Sequence, residues 1–209
     1  MKEVVIISGK GGTGKTSVTA SLAVLAENAV LADCDVDAAD LHLILEPVAS
    51  EEGEFKSGQL AKIDEDACIG CGQCKEVCRF DAVIKSENIY MIDPLGCEGC
   101  KTCEIACPAN AISMSENVCG KWYISKTRCG TMVHAALKPG SENSGKLVSL
   151  VRKKAREQAE KFGTGMIIVD GPPGIGCPVI ASIGSASLVM IVTEPTQSGL
   201  HDLKRVIGL

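Results

Sequence analysis

Eight of the twelve cysteines in this 209-residue chain fall into two runs whose spacing suits metal chemistry. Each run has the pattern C-x2-C-x2-C-x3-C. Thiolates at these intervals hold iron–sulfur clusters. Paired C-x2-C sequences also bind zinc, but a third cysteine at the same interval and a fourth at the longer one, both repeated, favour iron and sulfide. The predicted ligands are Cys68, Cys71, Cys74 and Cys78 in the first run, and Cys97, Cys100, Cys103 and Cys107 in the second.

A second group of residues suits phosphate chemistry. The sequence GKGGTGKT (9–16) fits the pattern G-x-x-x-x-G-K-[ST]. Glycines let backbone N–H groups surround the β- and γ-phosphates of a nucleotide, Lys15 neutralises their charge, and Thr16 binds Mg²⁺. The residues predicted to surround the phosphates are Gly9, Lys10, Gly11, Gly12, Thr13, Gly14, Lys15, Thr16 and Ser17.

Strands and helices alternate around this loop. The apolar run 4–8 is typical of a buried strand, residues 16–28 of a helix, and 29–35 of a second buried strand. Such a strand–helix–strand unit implies a parallel sheet with right-handed crossovers. Further along, the sequence predicts strands at 121–128, 166–171 and 188–194, and a basic amphipathic helix at 146–162.

The alternation stops between about residues 51 and 117, where the cysteine runs lie. Segments 68–83 and 97–112 align without a gap at a period of 29 residues, which indicates two copies of one structural unit. We therefore predict an α/β fold: a parallel-sheet P-loop domain interrupted by a small inserted α+β module. The predicted domains are 1–55 with 118–209, and 56–117 for the insert. The polar stretch 46–59 would also suit a flexible linker.

The phosphate loop carries a lysine directly after its first glycine. With Lys10 in that place, KGGTGKT resembles the deviant Walker A motif of the MinD/ParA ATPase superfamily, which includes the nitrogenase iron protein and the Mrp-type iron–sulfur carriers. The resemblance implies that Lys10 reaches the phosphates of a partner subunit, and therefore that ATP binding produces a homodimer. The resemblance spans roughly residues 1–50 and 120–209.

Two further segments resemble the catalytic segments of that superfamily. LADCDVDAADL (31–41) is similar to switch I, where an aspartate orients the attacking water; Asp35 matches best, with Asp33 and Asp37 as alternatives. MIIVDGPPG (166–174) is similar to Walker B with switch II. The resemblance implies that Asp170 holds Mg²⁺ and that the N–H of Gly171 bonds the γ-phosphate. The implied catalytic residues are Lys10, Lys15, Asp35 and Asp170, and the implied Mg²⁺ residues are Thr16, Asp35 and Asp170.

The insert resembles bacterial-type ferredoxins with two 4Fe–4S clusters, in which the fourth cysteine of each run binds the cluster of the other run. The resemblance implies one cluster on Cys68, Cys71, Cys74 and Cys107, and a second on Cys97, Cys100, Cys103 and Cys78. The cofactors expected for the whole chain are ATP, Mg²⁺ and two 4Fe–4S clusters.

Two cysteines outside these runs offer a further possibility. Cys177 lies seven residues after Asp170, the offset at which the nitrogenase iron protein carries a cluster ligand, and Cys129 follows a predicted strand. A cluster bridging two subunits through these thiols is one interpretation; the more ordinary one is two unrelated thiols.

MinD/ParA proteins also continue beyond the segment matched by residues 192–209, so we expect a C-terminal part of the family fold to be missing.

Composition excludes several functions. A formal charge of −5 and 3% aromatic residues do not suit nucleic-acid binding. No apolar run approaches the length of a membrane span, and the N-terminus does not resemble a secretory signal, which favours a reducing cytoplasm over a disulfide framework.

Together these features predict an ATPase whose nucleotide state controls electron transfer through two clusters, to or from a protein that the sequence does not identify. Assembly or delivery of iron–sulfur clusters to a client protein, as by Mrp-type carriers, is the alternative. A positioning ATPase is a weaker third, since positioning requires no ferredoxin module.

Overall fold

A computed structural model describes residues 1–87, 89–141 and 145–209. The chain folds as two compact units. The first contains Met1–Phe55 and Gly120–Leu209, and the second contains Lys56–Cys119, two residues longer at its end than the predicted insert.

The elements in chain order are β1 (Lys2–Ser8), α1 (Lys15–Leu25), β2 (Ala29–Asp33), α2 (Leu41–Leu45), β3 (Val48–Ile63), α3 (Gln73–Val77), β4 (Val83–Ser86), β5 (Ile89–Ile92), α4 (Thr102–Ala106), β6 (Ile112–Thr127), β7 (Gly130–Leu137), α5 (Lys146–Phe162), β8 (Met166–Pro173), α6 (Cys177–Ile183), β9 (Leu188–Val192) and α7 (Gln197–Ile207).

A seven-stranded sheet organises the first unit, in the order β3-β6-β7-β2-β8-β1-β9. The five strands from β7 to β9 are parallel, and the residues of β2 are all buried. Burial on both faces explains why these strands are continuous apolar runs rather than alternating ones. The predicted parallel α/β fold is confirmed, as is the helix at 146–162, whose apolar stripe packs beneath the sheet.

One predicted strand has a different role from the expected one. Residues 121–128 belong mostly to β6, which is antiparallel to β7, and β7 itself was not predicted from the sequence. Only two residues, Arg128 and Cys129, separate β6 from β7. So short a connection forms a hairpin, whereas a parallel neighbour needs a crossover of a dozen or more residues.

The flexible linker suggested for 46–59 is wrong. These residues fall mostly within β3, which lies beside β6 in the sheet, and β3 and β6 are the segments in which the chain passes between the units. Polar side chains remain exposed along β3 while its backbone groups pair with a neighbouring strand. Polar composition was therefore a poor indicator here.

A buried charge cluster links β1 to α5. Glu3 accepts hydrogen bonds from Nε of Arg152 at 2.6 Å and from Nη2 of Arg156 at 2.7 Å, and Arg152 also donates to the carbonyl of Ala181 at 2.6 Å. Glu3 and Arg152 are only 5% and 6% exposed. Glu3, Arg152 and Arg156 were not predicted to meet from the sequence.

Replacing Glu3 with alanine is expected to lower the free energy of unfolding of the first unit by about 3–5 kcal/mol, because Arg152 would remain buried without its counter-charge. Urea unfolding followed by the fluorescence of Trp122, the sole tryptophan, measures this. The control is Glu157→Ala, which removes an exposed pair with Lys153 and should cost less than about 1 kcal/mol. Equal effects of the two substitutions would contradict a structural role for the Glu3 cluster.

The second unit repeats its backbone as well as its sequence. Helices α3 and α4 begin 29 residues apart, after Gly72 and Lys101, whose φ angles are 80° and 66°. The next left-handed pair, Asp81 and Asn110, has φ of 53° and 49°. A small core lies between the halves, formed by Ala61, Cys74, Val83, Cys103 and Ile112.

Candidate functional site

The phosphate loop connects β1 to α1, and its backbone is open. Gly12 and Gly14 adopt left-handed conformations that favour glycine, and a Cβ added to either would meet nothing within 4 Å. Gly9 has the opposite requirement, because a Cβ there would lie 2.6 Å from Cβ of Asp202 on α7. The loop therefore presents free backbone on one side and packs tightly on the other.

Lys15, the first residue of α1, is the central cation of this site. Its Nζ lies 3.1 Å from Oδ2 of Asp35 and 3.0 Å from Oδ1 of Asp170, and the residue is 5% exposed. Burial alone would lower the pKa of Lys15, but the carboxylates of Asp170 and Asp35 outweigh it and raise that pKa above its ordinary value. Lys15 is therefore a buried, charged ammonium group.

Asp170 lies in β8, in register with Asp33 of the neighbouring β2, and is fully buried. It accepts hydrogen bonds from the hydroxyls of Thr16 at 2.8 Å and Thr19 at 2.9 Å as well as from Lys15. Thr19 was not among the site residues predicted from the sequence. Its signal was its position four residues after Lys15, which places both on one face of a helix.

Asp33, Asp35 and Asp37, the three aspartates of the segment that resembles switch I and that could orient water, occupy different positions. Only Asp35 reaches Lys15, and burial raises its pKa although the nearby ammonium group opposes this. Asp33 is fully buried; its Oδ1 accepts the N–H of Asp35 at 3.2 Å, and burial followed by the charge of Asp170 raises its pKa well above the usual range. Asp37 is exposed. Asp40 precedes α2 without a side-chain capping bond.

Lys10 is held within its own chain. Its Nζ is paired with the carboxylate of Glu194, just beyond β9, and lies 3.3 Å from Oγ of Ser198 on α7. The hydrogen bond from Lys10, with a second one from Thr196, lowers the pKa of Glu194. Gly171 packs against β1, since a Cβ would come within 2.7 Å of Cγ2 of Ile7.

These features fit a nucleotide phosphate and Mg²⁺. The hydroxyl of Thr13 is buried and has no hydrogen-bond partner in the described residues, beside glycines whose Cβ positions face open space. Thr16, Asp35 and Asp170 supply oxygen ligands of the kind that Mg²⁺ prefers, around a buried ammonium group.

The eight cysteines of the two C-x2-C-x2-C-x3-C runs line two cavities in the second unit. One cavity is bordered by the thiol residues Cys68, Cys71, Cys74 and Cys107. The other is bordered by Cys78, Cys97, Cys100 and Cys103. The fourth cysteine of each run thus lies with the first three of the other run, in the arrangement that the ferredoxin resemblance implies.

Exposure also repeats between the two cavities. The third cysteine of each run, Cys74 or Cys103, is buried, and burial raises its pKa, whereas Cys71 and Cys100 are exposed. The N–H of Ala111 donates to Sγ of Cys107 at 3.3 Å. Four thiols around a cavity fit an iron–sulfur cluster. Among the described residues, no three or more His, Cys, Asp or Glu side chains are arranged to hold a single metal ion.

The positions of Cys129 and Cys177 favour the more ordinary interpretation of two unrelated thiols. Cys129 precedes β7 at the amino edge of the parallel strands, whereas Cys177 follows β8 at their carboxyl edge. Because the strand before Cys129 is antiparallel to β7, Cys129 does not lie at the carboxyl edge. Cys129 instead borders a cavity with Arg128 and Phe162, to which Cys177 does not contribute.

Comparison with known proteins agrees with this division of the chain. Residues 61–114 match the 4Fe-4S dicluster domain family. A stretch of 38 residues is 50% identical to a component of the ion-translocating oxidoreductase complex of Hahella chejuensis, covering 18% of this chain and 19% of that protein. No helix in the described ranges has the length and apolar character needed to cross a membrane.

Similar solved structures include the cell division ATPase MinD of Pyrococcus furiosus, at 19% identity and a TM-score of 0.46 over 98% of this chain, and apo McdA of Cyanothece, at 19% identity and 0.48 over the whole chain. The chain spans 64% of the length of each.

The first unit therefore has the α/β fold of a P-loop domain, with the phosphate loop and Lys10 between β1 and α1, and the second unit contains the match to the 4Fe-4S dicluster domain family. The chain belongs to the family of two uncharacterized proteins of Methanocaldococcus jannaschii. It is 37% identical to MJ0578, covering 98% of this chain and 72% of that protein, and 30% identical to MJ0579, covering 99% and 74%.

Proposed function

We propose that this protein binds and hydrolyses ATP with Mg²⁺ and carries two 4Fe–4S clusters, and that its nucleotide state controls electron transfer through them. The observation that carries the proposal is that one chain combines a complete set of P-loop side chains around Lys15 with two separate four-cysteine cavities. The clusters, when bound, would accept and release single electrons at low potential.

In the nucleotide site, Lys15 and the loop from Gly9 to Ser17 would hold the phosphates. Thr16, Asp35 and Asp170 would hold Mg²⁺, Asp35 would orient the attacking water, and the N–H of Gly171 would bond the γ-phosphate. Lys15 exchanges carboxylate partners for phosphate in this scheme. Asp35 and Asp170 are then free to turn toward the metal ion.

Replacing Asp35 with asparagine is expected to leave ATP affinity within about threefold of the original and to reduce hydrolysis by at least about tenfold, because the amide keeps the shape but loses the charge that orients water. Phosphate release and equilibrium ATP binding are measured on the same samples. Asp37→Asn, on an exposed residue of the same segment, is the control. Normal hydrolysis by Asp35→Asn would mean that Asp33 or another group orients the attacking water.

Chain connectivity supports coupling between nucleotide and clusters. The insert leaves the first unit through β3, shortly after the Asp35 segment and α2, and returns through β6, which pairs with β7. A segment that moves with the γ-phosphate is therefore close in sequence to the start of the cluster module. Coupling in proteins is typically about 1–3 kcal/mol, equivalent to about 40–130 mV for one electron.

Redox titrations in the presence of ADP or a non-hydrolysable ATP analogue test the coupling. We expect at least one cluster potential to differ between the two nucleotides. The Lys15→Ala protein should show no difference. Identical potentials and identical electron-transfer rates to an artificial acceptor would mean that the two modules act independently.

Lys10 supports a second part of the proposal, an ATP-dependent homodimer. Release of Lys10 from Glu194 would free its ammonium group for the phosphates of a partner subunit.

Protein partners would be an electron donor, an electron acceptor or, in the alternative function of cluster assembly and delivery, a client protein. A cytoplasmic location suits these cofactors. A positioning ATPase remains the least supported alternative.

A further inference from the structure

The two halves of the cluster module permit an internal comparison. Residues 29 positions apart share backbone conformation, as Gly72 and Lys101 do before α3 and α4. Cys71 and Cys100 occupy equivalent, exposed positions in the two cavities. Different side chains near these two thiols therefore act on otherwise matched sites.

The main difference is at the first residue of each helix. In the second half, Oγ1 of Thr102 lies 3.4 Å from Sγ of Cys100, within hydrogen-bonding distance for sulfur. The equivalent residue in the first half is Gln73, and in the described part of the chain no side chain forms a hydrogen bond with Cys71. Tyr90 also borders the first cavity, but its hydroxyl makes no hydrogen bond to a thiol among the described residues.

We propose that Thr102 is a positioning residue that makes the reduction potential of the cluster held by Cys78, Cys97, Cys100 and Cys103 higher than that of the other cluster. This inference rests on the proposed function, because it requires both cavities to hold 4Fe–4S clusters. A metal-bound thiolate only accepts hydrogen bonds, so the hydroxyl of Thr102 becomes the donor. Hydrogen bonds to cluster sulfur stabilise the more negative, reduced state.

Charged residues near this cavity modify the effect without reversing it. Lys101 and Glu98 both border the cavity, and their opposite charges offset each other. Arg79, directly after Cys78, acts in the same direction as Thr102 but is exposed, so solvent and salt screen it. An electron that enters either cluster is therefore expected to settle on the one beside Thr102.

The test is a dithionite titration of the full chain, anaerobically reconstituted and followed by electron paramagnetic resonance. Thr102→Val should lower one of two potentials by about 59 mV, which corresponds to a tenfold change in the reduced-to-oxidised ratio. Thr102→Ser, which keeps the hydroxyl, should retain the original value. Gln73→Val, the matched control in the first half, should change neither potential.

A reciprocal variant covers the case in which Thr102→Val fails to retain its clusters. Gln73→Thr places a hydroxyl at the equivalent position and should raise the other potential. If Thr102→Val keeps its full iron content and its potentials are unchanged, the inference is overturned. If Thr102→Val loses iron, unchanged potentials in Gln73→Thr overturn it instead. Either result leaves the proposed function intact. Zinc, or about four irons instead of about eight in the unaltered protein, would overturn the two-cluster part of the proposed function itself.

Discussion

Replacing Lys15 with alanine is expected to weaken ATP binding by about 100-fold or more, because it removes the ammonium group that neutralises the phosphates. Lys15 is also the counter-charge of Asp35 and Asp170 when no nucleotide is bound. Isothermal titration with ATP and Mg²⁺ measures the affinity. Lys153→Ala, on an exposed part of α5, is the control. Unchanged affinity in Lys15→Ala would contradict the assignment of the phosphate site.

Lys15→Ala should also be less stable than the original protein, and this loss of stability should depend on pH. Without Lys15, the pKa of the buried Asp35 carboxyl group would be raised further in the folded state, because Lys15 is the charge that opposes the effect of burial. A raised carboxyl pKa stabilises the fold only below the unfolded value, near 4, and its contribution disappears as pH rises. The difference in melting temperature between the variant and the original protein should therefore be larger at pH 8 than at pH 5. A constant difference would indicate that the Asp35 carboxylate does not depend on Lys15.

Replacing Cys107 with alanine is expected to remove the cluster associated with the first cysteine run, although Cys107 belongs to the second. The reason is that Cys107 borders the cavity of Cys68, Cys71 and Cys74. Alanine is used because a serine oxygen could still bind iron. Iron content should fall from about eight to about four per chain, and paramagnetic resonance should retain the signal of the other cluster.

Two variants sharpen this test. Cys78→Ala should remove the other cluster, and the Cys107 and Cys78 variants should lose different paramagnetic signals. Cys119→Ala is the control, because Cys119 is a buried cysteine of the same unit that borders neither cavity. Full iron content in Cys107→Ala would contradict the crossed arrangement of ligands. Iron loss in Cys119→Ala would show that the module is merely sensitive to substitution.

The sequence by itself determined the chemistry that depends on short spacing. Lys15 and Thr16 are adjacent at the start of α1, directly after a loop in which Gly12 and Gly14 permit the required left-handed backbone, so their joint position follows from the local sequence. The same holds for the cysteine runs, because a 29-residue repeat imposes the same backbone twice. That the fourth cysteine of each run joins the first three of the other run was implied only by the resemblance to ferredoxins. The cysteines that border the two cavities have this arrangement.

Only the tertiary structure decided which distant residues meet. Asp35 rather than Asp37 reaches Lys15 because β2 ends beside β8. Glu3 meets Arg152 because α5 packs on β8, the strand beside β1. The direction of β6 was also a tertiary matter. A local apolar pattern does not distinguish parallel from antiparallel pairing. Because β6 and β7 are joined by a two-residue turn, Cys129 lies at the edge of the sheet opposite Cys177. Such pairings join residues far apart in sequence, which local spacing cannot specify.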